Sequence, residues 1–411
     1  MVGVDTGRAD TAPSQRTIRG EIAVVGGGMV GAAAALALAR QNRDVVLIER
    51  ERPRPLGGAD AFDLRVSALA PASIALLDRL GAWEAIRAER SALYRRMRVF
   101  DAVAPGDLTF DAAEIGRPYL GYIVENRRVQ YALWEQLAEC DNVQLLTGSV
   151  PKRLAVEARE ARLTLEDGRE VAAELVIGAD GQRSWVREAA SIGASSRDYA
   201  VAAQILSVDT AYPQQDITWQ RFTPDGPQAF LPLAGPRGSL VWYDRPERVR
   251  ARHGLDPEAL RHEAMRHFPA ELGEIESVAA QGWFPIRRLH AHRYWAERVL
   301  LVGDAAHSIH PLAGQGANLG FADVEALDAV IAEETARGRE PGDVRLAKRY
   351  ERMRRADNHL VQSLMDGFDW GYRRRDPLIV TARTAATQAV AGLPPLRRWM
   401  TRMAGGQRFG G

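Results

Sequence analysis

The sequence predicts an α/β fold: one parallel sheet assembled from distant parts of the chain, an antiparallel sheet inserted between those parts, and a helical C-terminal segment. Three observations predict it. Apolar runs of strand length recur at Ile22-Ala23-Val24-Val25, Leu175-Val176-Ile177 and Val299-Leu300-Leu301-Val302, and each runs into glycine. Residues 201–243 instead hold four short β-prone stretches divided by Pro and Gly turns. Beyond about residue 346 the pattern is helical.

The elements follow in order. Residues 21–80 read as strand, turn, helix, strand, then a loop with Pro53, Pro55, Gly57 and Gly58, then a helix from about Ala70. Residues 95–102 and 119–124 are extended, 130–139 helical, and 150–154 pairs with 162–166 as a hairpin turning at Asp167-Gly168. Short strands follow at 201–207, 217–222, 228–233 and 240–243, then a helix over 257–267. The chain returns through Trp283-Phe284-Pro285-Ile286 and re-enters the parallel sheet at Val299. The expected division is an extension over 1–19, a nucleotide-binding domain from 20–92, 121–198 and 289–345, a substrate domain from 93–120 and 199–288, and a helical region over 346–411.

Composition excludes several classes. The 46% hydrophobic and 26% charged fractions are those of a globular domain, and a net charge of +1 provides no field for nucleic acid. Cys140 is the only cysteine, so no intrachain disulfide forms, and no metal site is expected. Residues 1–19 are polar, lack the apolar core of a secretory signal, and read as a disordered extension of a cytoplasmic protein. Residues 22–39 carry no charge and are nearly long enough to span a bilayer, but three consecutive glycines argue against it.

The glycine-containing strand ends carry the chemistry. Gly26-Gly27-Gly28-Met29-Val30-Gly31 is a G-x-G-x-x-G turn: Gly26 permits the bend, Gly28 lets a pyrophosphate touch backbone, and Gly31 lets helix and strand approach. Alone the motif is weak, but a second strand, Val45-Val46-Leu47-Ile48, ends in Glu49-Arg50, where a carboxylate meets adenosine ribose hydroxyls. Gly303-Asp304 follows the last apolar run and precedes Pro311-Leu312-Ala313-Gly314-Gln315-Gly316-Ala317-Asn318. Asp304 suits sugar-alcohol hydroxyls, and Gly314 and Gly316 let helix N-terminal N–H groups approach a flat ring, so FAD accounts for both parts. Asp180-Gly181 alone is an ordinary turn; with the other two it becomes a third contact for the dinucleotide. No second dinucleotide turn exists.

These three motifs, in this order, resemble the single-component FAD-dependent aromatic hydroxylases. Asp63-Leu64-Arg65-Val66-Ser67-Ala68-Leu69, Leu120-Gly121-Tyr122-Ile123-Val124-Glu125-Asn126, Phe230-Leu231-Pro232-Leu233 and the stretch 350–358 resemble the ubiquinone-biosynthesis branch. Trp219-Gln220-Arg221-Phe222 and Val241-Trp242-Tyr243 look most like its demethoxyubiquinol hydroxylases. The resemblance implies a Rossmann-like FAD-binding domain of the glutathione-reductase type. It implies a reaction in which a hydroperoxide on flavin carbon 4a gives an oxygen atom from dioxygen to a polyprenyl phenol or quinol ring. NAD(P)H would visit transiently near Asp180-Gly181. Arg65 would reach the pyrophosphate, Gln130 the ribityl chain and Val150 the adenine region. Arg221, Phe222 and Tyr243 would lie on the substrate sheet. His310 is either the base that takes the substrate proton or a structural histidine. Hydroxylation at another ring position, oxidation without oxygen insertion, and a non-catalytic flavin subunit stay open.

Delivery of such a substrate draws attention to the C-terminus. Arg373-Arg374-Arg375, the apolar stretch 378–393 and Leu396-Arg397-Arg398-Trp399-Met400 form either a basic amphipathic surface for anionic lipid at the inner face of the membrane or a helix packed on the body. The other ubiquinone-biosynthesis proteins are its expected protein partners.

Overall fold

The structure, a computed structural model, describes residues 17–55, 62–104, 106–308 and 316–404. The chain runs through β1 (Ile18–Val25), α1 (Met29–Arg40), β2 (Val45–Glu49), α2 (Asn126–Ala138), β3 (Glu170–Gly178) and β4 (Ala194–Thr210). It continues through β5 (Ile217–Phe222), β6 (Gln228–Pro232), β7 (Arg237–Asp244), α3 (Pro257–His267), β8 (Ile275–Ala291) and β9 (Val299–Leu301). Helices α4 (Gly316–Ala336), α5 (Val344–Arg373), α6 (Pro377–Gly392) and α7 (Pro394–Ala404) complete it. The strand β1 begins inside the stretch expected as an extension, since Ile18, Arg19 and Gly20 already pair with Val171, Ala172 and Ala173. The rest of that extension, residues 1–16, lies outside the described residues.

Strands β9, β3, β1, β2 and Val143–Thr147 lie side by side, all parallel. Their apolar runs are continuous because both faces are covered: Ile22, Ala23, Val24, Leu47, Ile177 and Leu300 are all buried. Helix α1 is buried around its whole circumference from Gly31 to Ala39, and its alanines let α2 and α4 approach closely.

The second sheet is built on β4 and β8, two antiparallel strands of 17 residues each, roughly 56 Å of extended chain. The sequence shows these as short stretches because Pro285 and a shift of register between Asp198 and Ala202 interrupt the alternation. Beside β4 lie β7, β6 and β5 in antiparallel order. The sheet is not wholly antiparallel: Arg96–Asp101 joins β5 in parallel, because an earlier excursion of the chain enters the edge in the same direction. The expected hairpin also differs. Pro151–Val156 pairs with Ala161–Leu165, but Asp167-Gly168 turns the latter into β3, with Gly168 at φ +87°.

Period-two alternation gives this second sheet two different faces. Trp219, Phe230, Leu240 and Trp242 point one way and form a core with Leu260, Ala264 and Phe268 at α3. The residues between them face the parallel sheet's glycine turns.

Candidate functional site

The glycine turn follows from local sterics. Gly26 has φ +102°, and a Cβ there would meet the Ala179 carbonyl at 2.5 Å; at Gly31 a Cβ would stand 1.9 Å from the Gly26 carbonyl. Gly28 caps α1 without a side-chain acceptor, no acidic residue occupies the first turn, and nothing lies within 4 Å of where its Cβ would be. Unspent N–H donors therefore face an open space, the condition for holding a phosphate. Glu49, at the end of β2, accepts the Gly27 N–H at 2.5 Å and the Glu51 N–H at 3.1 Å. Gln130 and Trp134 of α2 both donate to the Gly27 carbonyl, at 2.7 and 2.8 Å. Val150 is half-buried one residue beyond Ser149, whose N–H bonds the Glu49 carbonyl; Arg50 is exposed.

The other turns meet this one. Ala179 packs on Gly26, and Val30 fills the space beside Gly303 and Gly320. Asp180 spends its carboxylate accepting from Ser184 Oγ at 2.5 Å and Val186 N–H at 3.0 Å, and Gly181, at φ +82°, lines the cavity beside it. Burial raises the Asp180 carboxyl pKa, with the Ser184 bond opposing. The Asp304 carboxylate is open to the cavity yet crowded by protein, which pushes its pKa up against the pull of His307 and Arg65. Asn318 spends its side chain on structure, accepting from Ala70 N–H and Ser73 Oγ and donating to Ala68 carbonyl, so it pins the start of α4 to residues 68–73.

Behind Gly303 lies a buried polar network that no local motif announces. Asp323 of α4 accepts from Gly303 N–H at 2.9 Å, His307 Nε2 at 2.5 Å, Arg354 Nε at 2.7 Å and Asn358 Nδ2 at 3.2 Å. Burial alone would raise its pKa, but His307 and the Arg354 guanidinium overcome that and hold it well below the usual carboxylate range. Tyr350 Oη donates to the Leu301 carbonyl, and Glu351 accepts from Tyr294 N–H and Trp295 Nε1. The stretch 350–358 is thus a buttress for the turn that presents Asp304.

One cavity of about 640 Å³ joins the three turns to the second sheet. Gly28, Met29, Val30, Arg65, Gly316 and Ala317 line its nucleotide side, and Arg65 lies 5.9 Å from the Phe284 ring across it. Its sheet side holds Ile205, Gln220, Ala229, Leu231, Val241 and Tyr243, none of them charged, and Arg287 of β8 brings a guanidinium to the same lining. Of the three residues expected on the substrate sheet, Tyr243 lines the cavity, and burial raises its phenol pKa strongly. Arg221 does not: strand alternation turns it to the opposite face, where it donates to the His267 carbonyl. Phe222 lies outside the lining and stacks on Tyr372, ring centroids 4.0 Å apart. His310, Pro311, Gly314 and Gln315 lie outside the described residues.

The arrangement fits FAD: Gly28, Gly181 and Gly316 each open on space that a Cβ would not fill, and carboxylates stand at Glu49 and Asp304, where ribose and ribityl hydroxyls would lie. The family model described as an FAD binding domain matches residues 19–363. The chain is 43% identical over 381 residues to the 3-demethoxyubiquinol 3-hydroxylase of Escherichia coli, covering 92% of this chain and 96% of that one. The chain belongs to the FAD-binding family of ubiquinone-biosynthesis hydroxylases. The ubiquinone hydroxylase UbiL of Rhodospirillum rubrum is 36% identical, over 94% of this chain and 89% of the relative. The crystal structure of PqsL, a probable FAD-dependent monooxygenase from Pseudomonas aeruginosa, superposes with a TM-score of 0.75 at 22% identity over 90% of this chain and 99% of that one. The resemblance read from the motifs and the interleaved α/β fold are both borne out.

Within this family fold, Trp134 and the Asp323 network are the residues that local motifs could not reveal. Trp134 meets the glycine turn only because α2 packs on α1, and Asp323 meets its partners only because α4 and α5 cross behind β9. An acid in an otherwise apolar helix turn, Phe321-Ala322-Asp323-Val324, was the available signal.

Proposed function

We propose that this chain hydroxylates the aromatic ring of a polyprenylated quinol at the demethoxyubiquinol step, with FAD as its cofactor, dioxygen as co-substrate and NAD(P)H as electron donor. What carries the reading is the cavity with glycine turns suited to a flavin on one wall and, on the other, a sheet face whose strands β5 to β7 contribute only uncharged side chains. Bound flavin, once reduced, supplies the activation of dioxygen for transfer of one oxygen atom to an electron-rich ring. Glu49 holds the adenosine, the N-terminus of α1 the pyrophosphate, Arg65 its charge, and Asp304 the ribityl hydroxyls. The start of α4 lends its positive dipole end to negative charge on the ring. Leu231, Val241 and Ile205 exclude water from the reacting face. Tyr243 stays protonated at neutral pH and serves as a neutral neighbour of the ring. The base in this reading is His310.

The accumulating quinone of a strain lacking the gene tests the step. A demethoxy compound, removed on complementation, supports the reading. Accumulation of an intermediate lacking a different ring hydroxyl would move the enzyme to another position, and normal ubiquinone would end the proposal.

We further propose that the C-terminal helices bring the enzyme to the lipid holding its substrate. Among the described residues no helix is long and apolar enough to cross a membrane. Leu396 and Met400 pack inward against the apolar cluster that contains Phe110 and Leu231, and Arg397 pairs with Glu114 at 3.0 Å. Leu378, Leu393 and Trp399 point outward beside Arg374, Arg375, Arg398 and Arg402. An outward apolar-and-basic surface suits anionic headgroups. Replacing those four arginines with serine leaves the inward packing intact, and it is expected to abolish salt-sensitive binding to phosphatidylglycerol vesicles. Binding equal to that of the parent protein would refute the membrane role.

A further inference from the structure

The cavity's sheet wall over β4 to β8 is apolar except at Gln220, Ser239, Tyr243 and Arg287, and the first two carry polar groups that nothing else among the described residues uses. Gln220 of β5 is 7% exposed, lines the cavity and makes no side-chain hydrogen bond among the described residues. Ser239 of β7 is 2% exposed, lines the same cavity, and its Oγ is buried without a partner. A buried hydroxyl or amide left unpaired costs about 1–3 kcal/mol. A core position facing only apolar neighbours would be better filled by alanine or leucine, so their retention points to a ligand that completes them.

Strand register sets their separation. Gln220 pairs with Ala229, Ala229 with Val241, and Leu231 with Ser239, so all five share one face. Gln220 and Ser239 stand two strands and two residues apart, roughly 12 Å between backbones. Ala229, the smallest of these five side chains, lies next to Gln220 and leaves a hollow walled by Leu231 and Val241. A flat ring seated on Ala229 would present a hydroxyl toward each end. Both groups are neutral and each can donate or accept, which suits a phenolic O–H, and neither brings the positive charge that would pair with a carboxylate.

We infer that Gln220 and Ser239 are the substrate-positioning pair, hydrogen-bonding the hydroxyls of an uncharged aromatic ring laid over Ala229. The inference rests on the ring-hydroxylase reading and names its recognition residues. Their task is to hold the reacting carbon toward the flavin side of the cavity; a ring held loosely would leave activated oxygen to escape as hydrogen peroxide.

The test uses FAD-loaded enzyme and a demethoxyubiquinol analogue with a single isoprene unit. Parent enzyme that neither binds nor hydroxylates the analogue would refute the ring-hydroxylase reading itself, and this inference with it. Given an active parent, Ser239→Ala and Gln220→Met are each expected to raise the analogue's Kd about tenfold, read from the flavin absorbance change, and to divert more electron donor into hydrogen peroxide. Ser239→Ala carries a second expectation of opposite sign: the Tm of substrate-free holoenzyme holds or rises, because an unsatisfied buried group has been removed. Should Gln220→Met not fold, Gln220→Asn, which shortens the amide's reach, carries the same expectation. Unchanged Kd and coupling in both variants, or a falling Tm in Ser239→Ala, would overturn the assignment.

Discussion

Replacing Asp323 with asparagine tests how the molecule presents Asp304. The carboxylate is 0% exposed and accepts four hydrogen bonds, one from the Gly303 N–H and one from Arg354, itself 1% exposed. Asparagine keeps the shape, removes the charge and turns an N–H₂ toward some of those donors. Breaking one side of a buried ion pair costs about 3–5 kcal/mol, because the remaining charge stays desolvated. For a large chain each kcal/mol is worth about 2 °C, so Tm should fall by roughly 6–10 °C. Since the folded pKa of Asp323 is depressed, its contribution is present above about pH 4 and lost only in stronger acid, so scanning calorimetry at pH 7 sees the whole deficit. The Gly303 turn loosens too, so flavin content falls and added FAD recovers part of the Tm. Adding Arg354→Met should restore some stability by removing the stranded charge. A variant with parental Tm and flavin affinity would show that Asp323 does not hold the Gly303 turn.

Three further outcomes follow. His290 is buried and held down to about 4, chiefly by desolvation and against its bond to Gln362, so the unfolded chain binds a proton that the native state does not. Stability should therefore fall as pH drops from about 6.5 toward 4, by about 1.4 kcal/mol per unit at the steepest, and His290→Asn should flatten the Tm-against-pH curve there. Gly31→Val puts a side chain into the Gly26 carbonyl, and purified protein should lack the yellow flavin absorbance. Glu49→Gln removes a charged acceptor and should weaken FAD binding ten- to a hundredfold in a fluorescence titration; an unchanged Kd would remove Glu49 from the adenosine site.

What was legible in the sequence was what a few neighbouring residues decide together. The turn 26–31 and the strand ending at Glu49 are local because bond geometry forces glycine where backbone folds back on itself. The second sheet was harder: whether Gln220 or Arg221 faces the cavity depends on pairing with a strand from elsewhere, and an error of one residue reverses the face. Arg221 was expected at the substrate for that reason, while Gln220 and Ser239 went unnoticed. Asp323 draws its partners from residues 303, 307, 354 and 358, brought together by helix crossings that no periodicity announces. Asp180 and Asn318 show the converse: motif membership placed them at the cavity, and their side chains are occupied in holding its walls.

In the proposed function one cavity serves both a flavin and a neutral ring. Its most direct test is turnover of FAD-loaded enzyme with the short-chain analogue under ¹⁸O₂, followed by mass spectrometry of the product. One labelled oxygen on the ring is the expected outcome. A quinone formed without label, with all the ¹⁸O recovered as hydrogen peroxide, would show that electrons cross the cavity while oxygen does not, and would contradict it.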